Sequence, residues 1–426
     1  MPQFISATLK QLTAKSVPTR QQAFVLLRQA ADILQGGLES SVTSVCNAVT
    51  QALKTVDSAT TSSLAVAALA FLSTFFATHH PRVYSSHIQT LVTSVTQCMR
   101  DKLHRISVEA FGAASALALS ARPKGSSSPL VAAFSSPIEQ LCRATTDVLG
   151  DSSVDSDIRE RALETLGDLL VHEGDILTAS FPTALPLIKS RLGNEATSNT
   201  AIQVIGRIAD APTCGGQVFE DWLLDVLPDV LLALRRSKRS VGKNTEFVCL
   251  QHVLARIASS LPVDTANALI VELKAFIETP SAIQAVSLIL QHQPACRETV
   301  VEQLLPNIFP ILQTPTINPQ LLDSLTLFFG SYVQSETSVA EKLVQDLVAN
   351  VRSGNALPDA SQGGTSVSAT TSRCIGAVVA AAPGSASGVL HTFQKTIKVC
   401  YSVEIRIEAD PGSPPSLPSR ASTLPS

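Results

Sequence analysis

The chain has 426 residues, 45% hydrophobic but only 4% aromatic and 16% charged, so its apolar content is aliphatic and rich in alanine, which favours helices packed closely on helices. A net charge of -3 offers no electrostatic case for nucleic acid as the main partner. Eight widely spaced cysteines, at 46, 98, 142, 214, 249, 296, 374 and 400, form no CxxC pair, which argues against a zinc site and reads as the reduced thiols of a cytosolic or nuclear protein.

In chain order, "MPQFISATLKQL" lacks the charged start and long apolar core of a secretory signal. Thr19-Arg20-x-x-Ala23-x-x-x-Leu27 is the first helical pattern. The uncharged run from Ser58 to Thr78 approaches the roughly 20 residues a bilayer requires. Five of its first six residues and its interior Ser73 and Thr74 are polar, and no aromatic and basic anchors flank it. It therefore reads as a helix buried in a stack, not as a membrane span. "HHPR" at 79 to 82 reads as a turn, and "SHIQTLVTSVTQCM" as the helix before Ile106-Ser107-x-x-Ala110-x-x-x-Ala114.

Farther along, "DIRERALETLGDLL" repeats the pattern as Ile158-Arg159-x-x-Ala162-x-x-x-Leu166, and "DWLLDVLPDVLLALRR" supplies another preceding helix. Trp222 falls in step with Val226 and Val230, which suits a core stripe. "RRSKRS" at 235 to 240 is the one dense basic run: Arg235, Arg236, Lys238 and Arg239, with Lys243 just beyond, form a candidate contact for an acidic partner surface or a nuclear-localisation signal. The plainer alternative is a solvated turn whose arginines compensate the preceding helix's negative end.

Small residues at 23, 68, 110, 162, 201, 249, 285, 324 and 376 mark about nine copies, separated by turn-formers such as "DSSVDSD", "LGNEATSN" and "ETPS". An uneven period near 40 with a V/I-R-x-x-A-x-x-x-L signature is that of HEAT repeats, so the expected fold is an all-α, armadillo-like solenoid over residues 1–400. The small residue lets two helices approach, and the aliphatic four residues on fills the next layer. Arg20 and Arg159 sit at one repeat position, where an arginine is expected to lay its stem over apolar neighbours and donate to a carboxylate or loop carbonyl, with Asp151, Asp155 and Asp157 as candidates. No catalytic, cofactor or metal constellation accompanies the eight histidines.

"LTAKSVPTRQQAFVLLRQAADILQGGLES", "HPRVYSSHIQTLVTSVTQCMRDKLHRISVEAF", "DSDIRERALETLGDLLVHEGD" and "LPLIKSRLGNEATSNTAIQVIGRIADAP" follow in an order that resembles the central repeats of the cullin-associated, neddylation-dissociated family. The resemblance implies a non-enzymatic solenoid that grips an unneddylated cullin with its RING subunit and promotes substrate-receptor exchange on cullin-RING ubiquitin ligases, in the cytoplasm or nucleus. A generic HEAT scaffold or nuclear transport receptor is the alternative reading. The family's N- and C-terminal repeats are expected to be missing, so association with repeats on a separate chain is a further expectation. The Pro/Ser-rich residues 401–426 are expected to be disordered, with a truncated or frame-shifted gene model near Ile407 as one explanation.

Overall fold

The computed structural model describes residues 2–54, 59–122, 132–237, 245–314, 317–334, 337–353, 367–388 and 391. Among them all regular structure is helical, and the chain divides into two compact units, Met1–Leu261 and Pro262–Ser426.

The first unit is built from helix pairs: α1 (Pro2–Gln11) with α2 (Val17–Ile33), and α3 (Val42–Lys54) with α4 (Ala59–Thr78). After the one-turn α5 (Pro81–Tyr84) come α6 (Ile88–Met99) with α7 (His104–Ser120), and α8 (Ser135–Gly150) with α9 (Ser156–Glu173). α10 (Phe181–Arg191) with α11 (Ser198–Asp210), and α12 (Gln217–Ser237) with α13 (Thr245–Ile257), complete it. The second helices α2, α4, α7, α9, α11 and α13 pack in series as one layer, and α3, α6, α8, α10 and α12 as the other. No helix buries its apolar face alone, so each repeat is stable only against its neighbours.

The small-residue marks lie where the second helices meet. Ala23, Ala68, Ala110, Ala162, Ala201 and Cys249 are all buried, and so are Leu27, Leu72, Ala114, Leu166, Ile205 and Val253 four residues later. Several aromatics form a thread through the first repeats: Phe24 meets Phe71 at 5.8 Å between ring centroids, Phe75 meets Tyr84 at 5.5 Å, and Tyr84 meets Phe134 at 5.7 Å. Because α4 packs on α2 on one side and α7 on the other, protein covers its apolar residues Leu64, Leu69, Phe71, Leu72, Phe75 and Phe76. That accounts for its apolar composition as core.

The turns between pairs follow from their side chains. Asp151 Oδ1 accepts hydrogen bonds from the backbone N–H and hydroxyl of Ser153 (2.8 and 2.6 Å), and Asn194 Oδ1 accepts one from the Ala196 N–H (3.0 Å).

The second unit repeats the scheme with α14 (Val263–Leu273) and α15 (Pro280–His292), then α16 (Arg297–Gln303), α17 (Leu305–Leu312) and α18 (Pro319–Gln334), then α19 (Ala340–Ser353) and α20 (Val367–Ala381). α15, α18 and α20 pack in series, with Ala285 and Ser324 buried at their marks. The break between α16 and α17 falls at Leu304, just ahead of Pro306, which supplies no N–H to a continuing helix. The ninth mark differs from expectation: Gly376 and Ala380 are exposed, and Cys374 and Val378, in the same i, i+4 relation, are buried instead. In so alanine-rich a segment several frames satisfy the pattern, and packing selects one.

Candidate interaction surface

Polar side chains join successive repeats at offsets close to the repeat period. Arg207 Nη1 on α11 donates to Asp168 Oδ1 on α9 (2.9 Å), and the Thr200 hydroxyl donates to Glu160 Oε1. His252 Nδ1 on α13 lies 3.0 Å from the Gly206 carbonyl oxygen on α11. In the second unit Gln284 and Gln291 on α15 donate to the Ser324 and Ser331 hydroxyls on α18, each at 3.0 Å. The first-helix layer carries its own links, Arg100 to Asp147 (2.6 Å) and Lys189 to Asp225 (2.7 Å). Exposed pairs of this kind contribute about 0–1 kcal/mol each, so they set register more than stability.

One joint is buried. Arg122, just beyond α7, donates from Nε to the His172 carbonyl and to Glu173 Oε2 at the end of α9, both at 3.0 Å, and from Nη2 to Asp175. Glu173 is fully buried and its Oε1 has no partner. Desolvation pushes this carboxyl up to about 7, against the lowering influence of Arg122. Beside it the chain passes so closely that a Cβ on Gly174 would stand 2.6 Å from Cys214 Sγ and 2.7 Å from the Leu170 carbonyl oxygen.

The residues singled out from sequence fall as follows. Neither Arg20 nor Arg159 makes the expected ladder: both are partly exposed, each has a buried Nε with no hydrogen-bond partner, and Arg159 forms no ion pair with Asp151, Asp155 or Asp157. Asp151 is occupied by its own turn, and only the Arg159 backbone N–H reaches the Asp155 carbonyl (3.0 Å). Arginines that do bond across repeats include Arg100, Arg122, Arg207 and Arg256, the last donating to the Cys214 carbonyl. Arg235 and Arg236 are exposed at the end of α12, whereas Lys238, Arg239 and Lys243 lie outside the described residues, as does the 401–426 tail.

The histidines of the "HHPR" turn are structural. His79 Nε2 accepts from the Leu38 N–H (3.2 Å) and His80 Nδ1 accepts from the Arg82 N–H (3.2 Å), capping α5. Trp222 is buried against Phe219, with ring centroids 5.9 Å apart. The seven cysteines among the described residues are buried and unpaired, and no group of three or more potential metal ligands occurs among those residues.

Residues 10–166 match a family model described as CAND1-like, TPR repeats. The chain is 26% identical over 365 residues to cullin-associated NEDD8-dissociated protein 1 of Drosophila melanogaster, a match covering 83% of this chain and 29% of the relative. The Arabidopsis thaliana protein of the same name is 24% identical over 349 residues, covering 80% of this chain and 28% of the relative. This chain thus spans about three-tenths of the length of these curated relatives. The crystal structure of importin beta superposes on 96% of this chain and 50% of its own with a TM-score of 0.59 at 12% identity, a likeness of fold alone.

Proposed function

Because the chain is a relative of the cullin-associated NEDD8-dissociated proteins, we propose that it takes part in assembly of cullin-RING ubiquitin ligases by binding a cullin that does not carry NEDD8. It acts as a non-enzymatic regulator in the cytoplasm or nucleus: occupying the cullin competes with substrate-receptor modules and so promotes their exchange. The observation that carries this reading is the similarity over 83% of the chain to a protein so named, combined with a repeat stack whose polar residues serve packing and register. A long repeat surface suits this task because many modest contacts sum to useful affinity, and removing a few restores release.

The test is a pull-down with this chain as bait against purified cullin–RING subunit complexes with and without NEDD8. Preferential capture of the unmodified complex is expected. Equal capture of both forms, or no capture by a chain that circular dichroism reports as helical, would overturn the reading.

A further inference from the structure

Within the first unit, consecutive second helices pack side by side, so the turns that lead into them share one edge. That edge carries Lys15 and Arg20 at α2, Lys102 and Arg105 at α7, Arg159 at α9, and Arg191 at the end of α10. None of these six side chains forms an ion pair among the described residues. Several of the nearby acids are engaged elsewhere. Asp101 Oδ1 accepts from the Leu103 N–H (2.8 Å), Asp151 holds Ser153, Glu160 takes the Thr200 hydroxyl, and Glu164 pairs with Arg161 (2.8 Å).

Arg20, Arg105 and Arg159 also stand among the first four residues of their helices. Unsatisfied N–H groups make that end positive, so a cation is disfavoured there. The first turn of α2 carries no acid to offset this at Arg20, whereas Asp151 and Asp157 offset it in part at Arg159; the Nε atoms of both arginines are buried without a partner. Among the described residues the side chain of Arg191 is bonded only through Nε to the hydroxyl of its neighbour Ser190 (3.2 Å), and burial together with the Arg159 charge holds its guanidinium below the usual arginine range. On the opposite edge Arg122, Arg207 and Arg256 are all tied across repeats.

We infer that this edge of the first unit is a docking surface for an acidic polypeptide segment, whose carboxylates pair with Arg20, Arg105, Arg159 and Arg191. Adjacent packed helices lie about 8–10 Å apart, so the cations come as discrete points with acids between them. A segment with glutamates or aspartates at intervals fits that pattern. Duplex nucleic acid, with a charge every ~1.7 Å of its axis, would set phosphates against Asp155 and Asp157, both exposed beside Arg159.

The experiment measures binding of a fluorescent peptide of alternating glutamate and glycine to the full chain by anisotropy at low salt. The combined Arg20→Gln, Arg159→Gln and Arg191→Gln variant is expected to bind about tenfold more weakly, and Arg82→Gln, an exposed cation outside this edge, to bind as the unmodified chain does. Circular dichroism checks that the variants keep their helicity, and the three single substitutions, each weakening binding in part, replace the triple variant if it does not fold. Unchanged binding in the single and combined variants, absence of peptide binding, or tighter binding of an oligonucleotide of matched charge would overturn the assignment.

Discussion

Glu173 is a buried carboxyl whose titration bears directly on stability. Its folded value of about 7 lies above its ordinary value of 4.5, so between these the folded state binds the extra proton. The stability it contributes is full below pH 4.5 and is lost as pH rises through about 7. His79 works oppositely: burial lowers it, so folding loses stability as pH falls below its ordinary 6.5, because protonation would take away the acceptor of the Leu38 N–H. Comparing denaturant midpoints of the unmodified chain and Glu173→Gln from pH 5 to 8 isolates the carboxyl. The variant is expected to lack the loss of stability near pH 7 while keeping the acidic loss; parallel profiles would show that Glu173 does not titrate there. Close by, Gly174→Ala would press a methyl group onto Cys214 and the Leu170 carbonyl, and is expected to destabilise by about 1–3 kcal/mol. A calorimetric transition unmoved by this change would mean that the turn yields freely.

At the scale of the element, the second helices separate two kinds of small residue. Ala162 is fully buried between α7 and α11; Ala162→Leu overfills that space and is expected to cost about 1–3 kcal/mol. Gly376 is exposed on α20, and a methyl group added there would meet nothing within 4 Å. Gly376→Ala is therefore expected to stabilise by about 0.4–1 kcal/mol, through helix propensity and a less free unfolded chain. Opposite shifts in thermal midpoint are the expected result, and a destabilising Gly376→Ala would return that residue to the core. The same contrast shows what was legible. Eight marks were readable because alanine, or a residue nearly as small, recurs with a large aliphatic or aromatic residue, or in one case a further alanine, four places on. The ninth slipped by two residues because "SRCIGAVVAA" satisfies the pattern in more than one frame.

Across the whole molecule, each helix pair packs on the pairs before and after it within its unit, so a local defect should stay local. Hydrogen exchange of Ala162→Leu is expected to accelerate in α9 and its neighbours α7 and α11 while α18, in the other unit, keeps its protection. Equal loss of protection in both units would mean that the chain opens as one cooperative body. Sequence periodicity carried the fold this far because a repeat's apolar face is written locally: residues three and four apart share a side of one helix. The cross-repeat bonds were less visible, although their spacing was available. Asp168 with Arg207, Gln284 with Ser324 and Gln291 with Ser331 are each separated by 39 or 40 residues, and searching polar residues at that offset would have found them.

The sequence by itself determined the helical class, the succession of paired helices, the buried small-residue seam through eight marks and the family likeness, because all of these rest on residue types recurring at short, regular intervals. Only the tertiary structure decided which arginines pair. Arg159 has three aspartates within eight residues and bonds to none through its side chain, whereas Arg122 finds Glu173 and Asp175 some fifty residues away. An ion pair forms where packing brings two charged ends together with their other bonds satisfied, and proximity along the chain does not set that geometry.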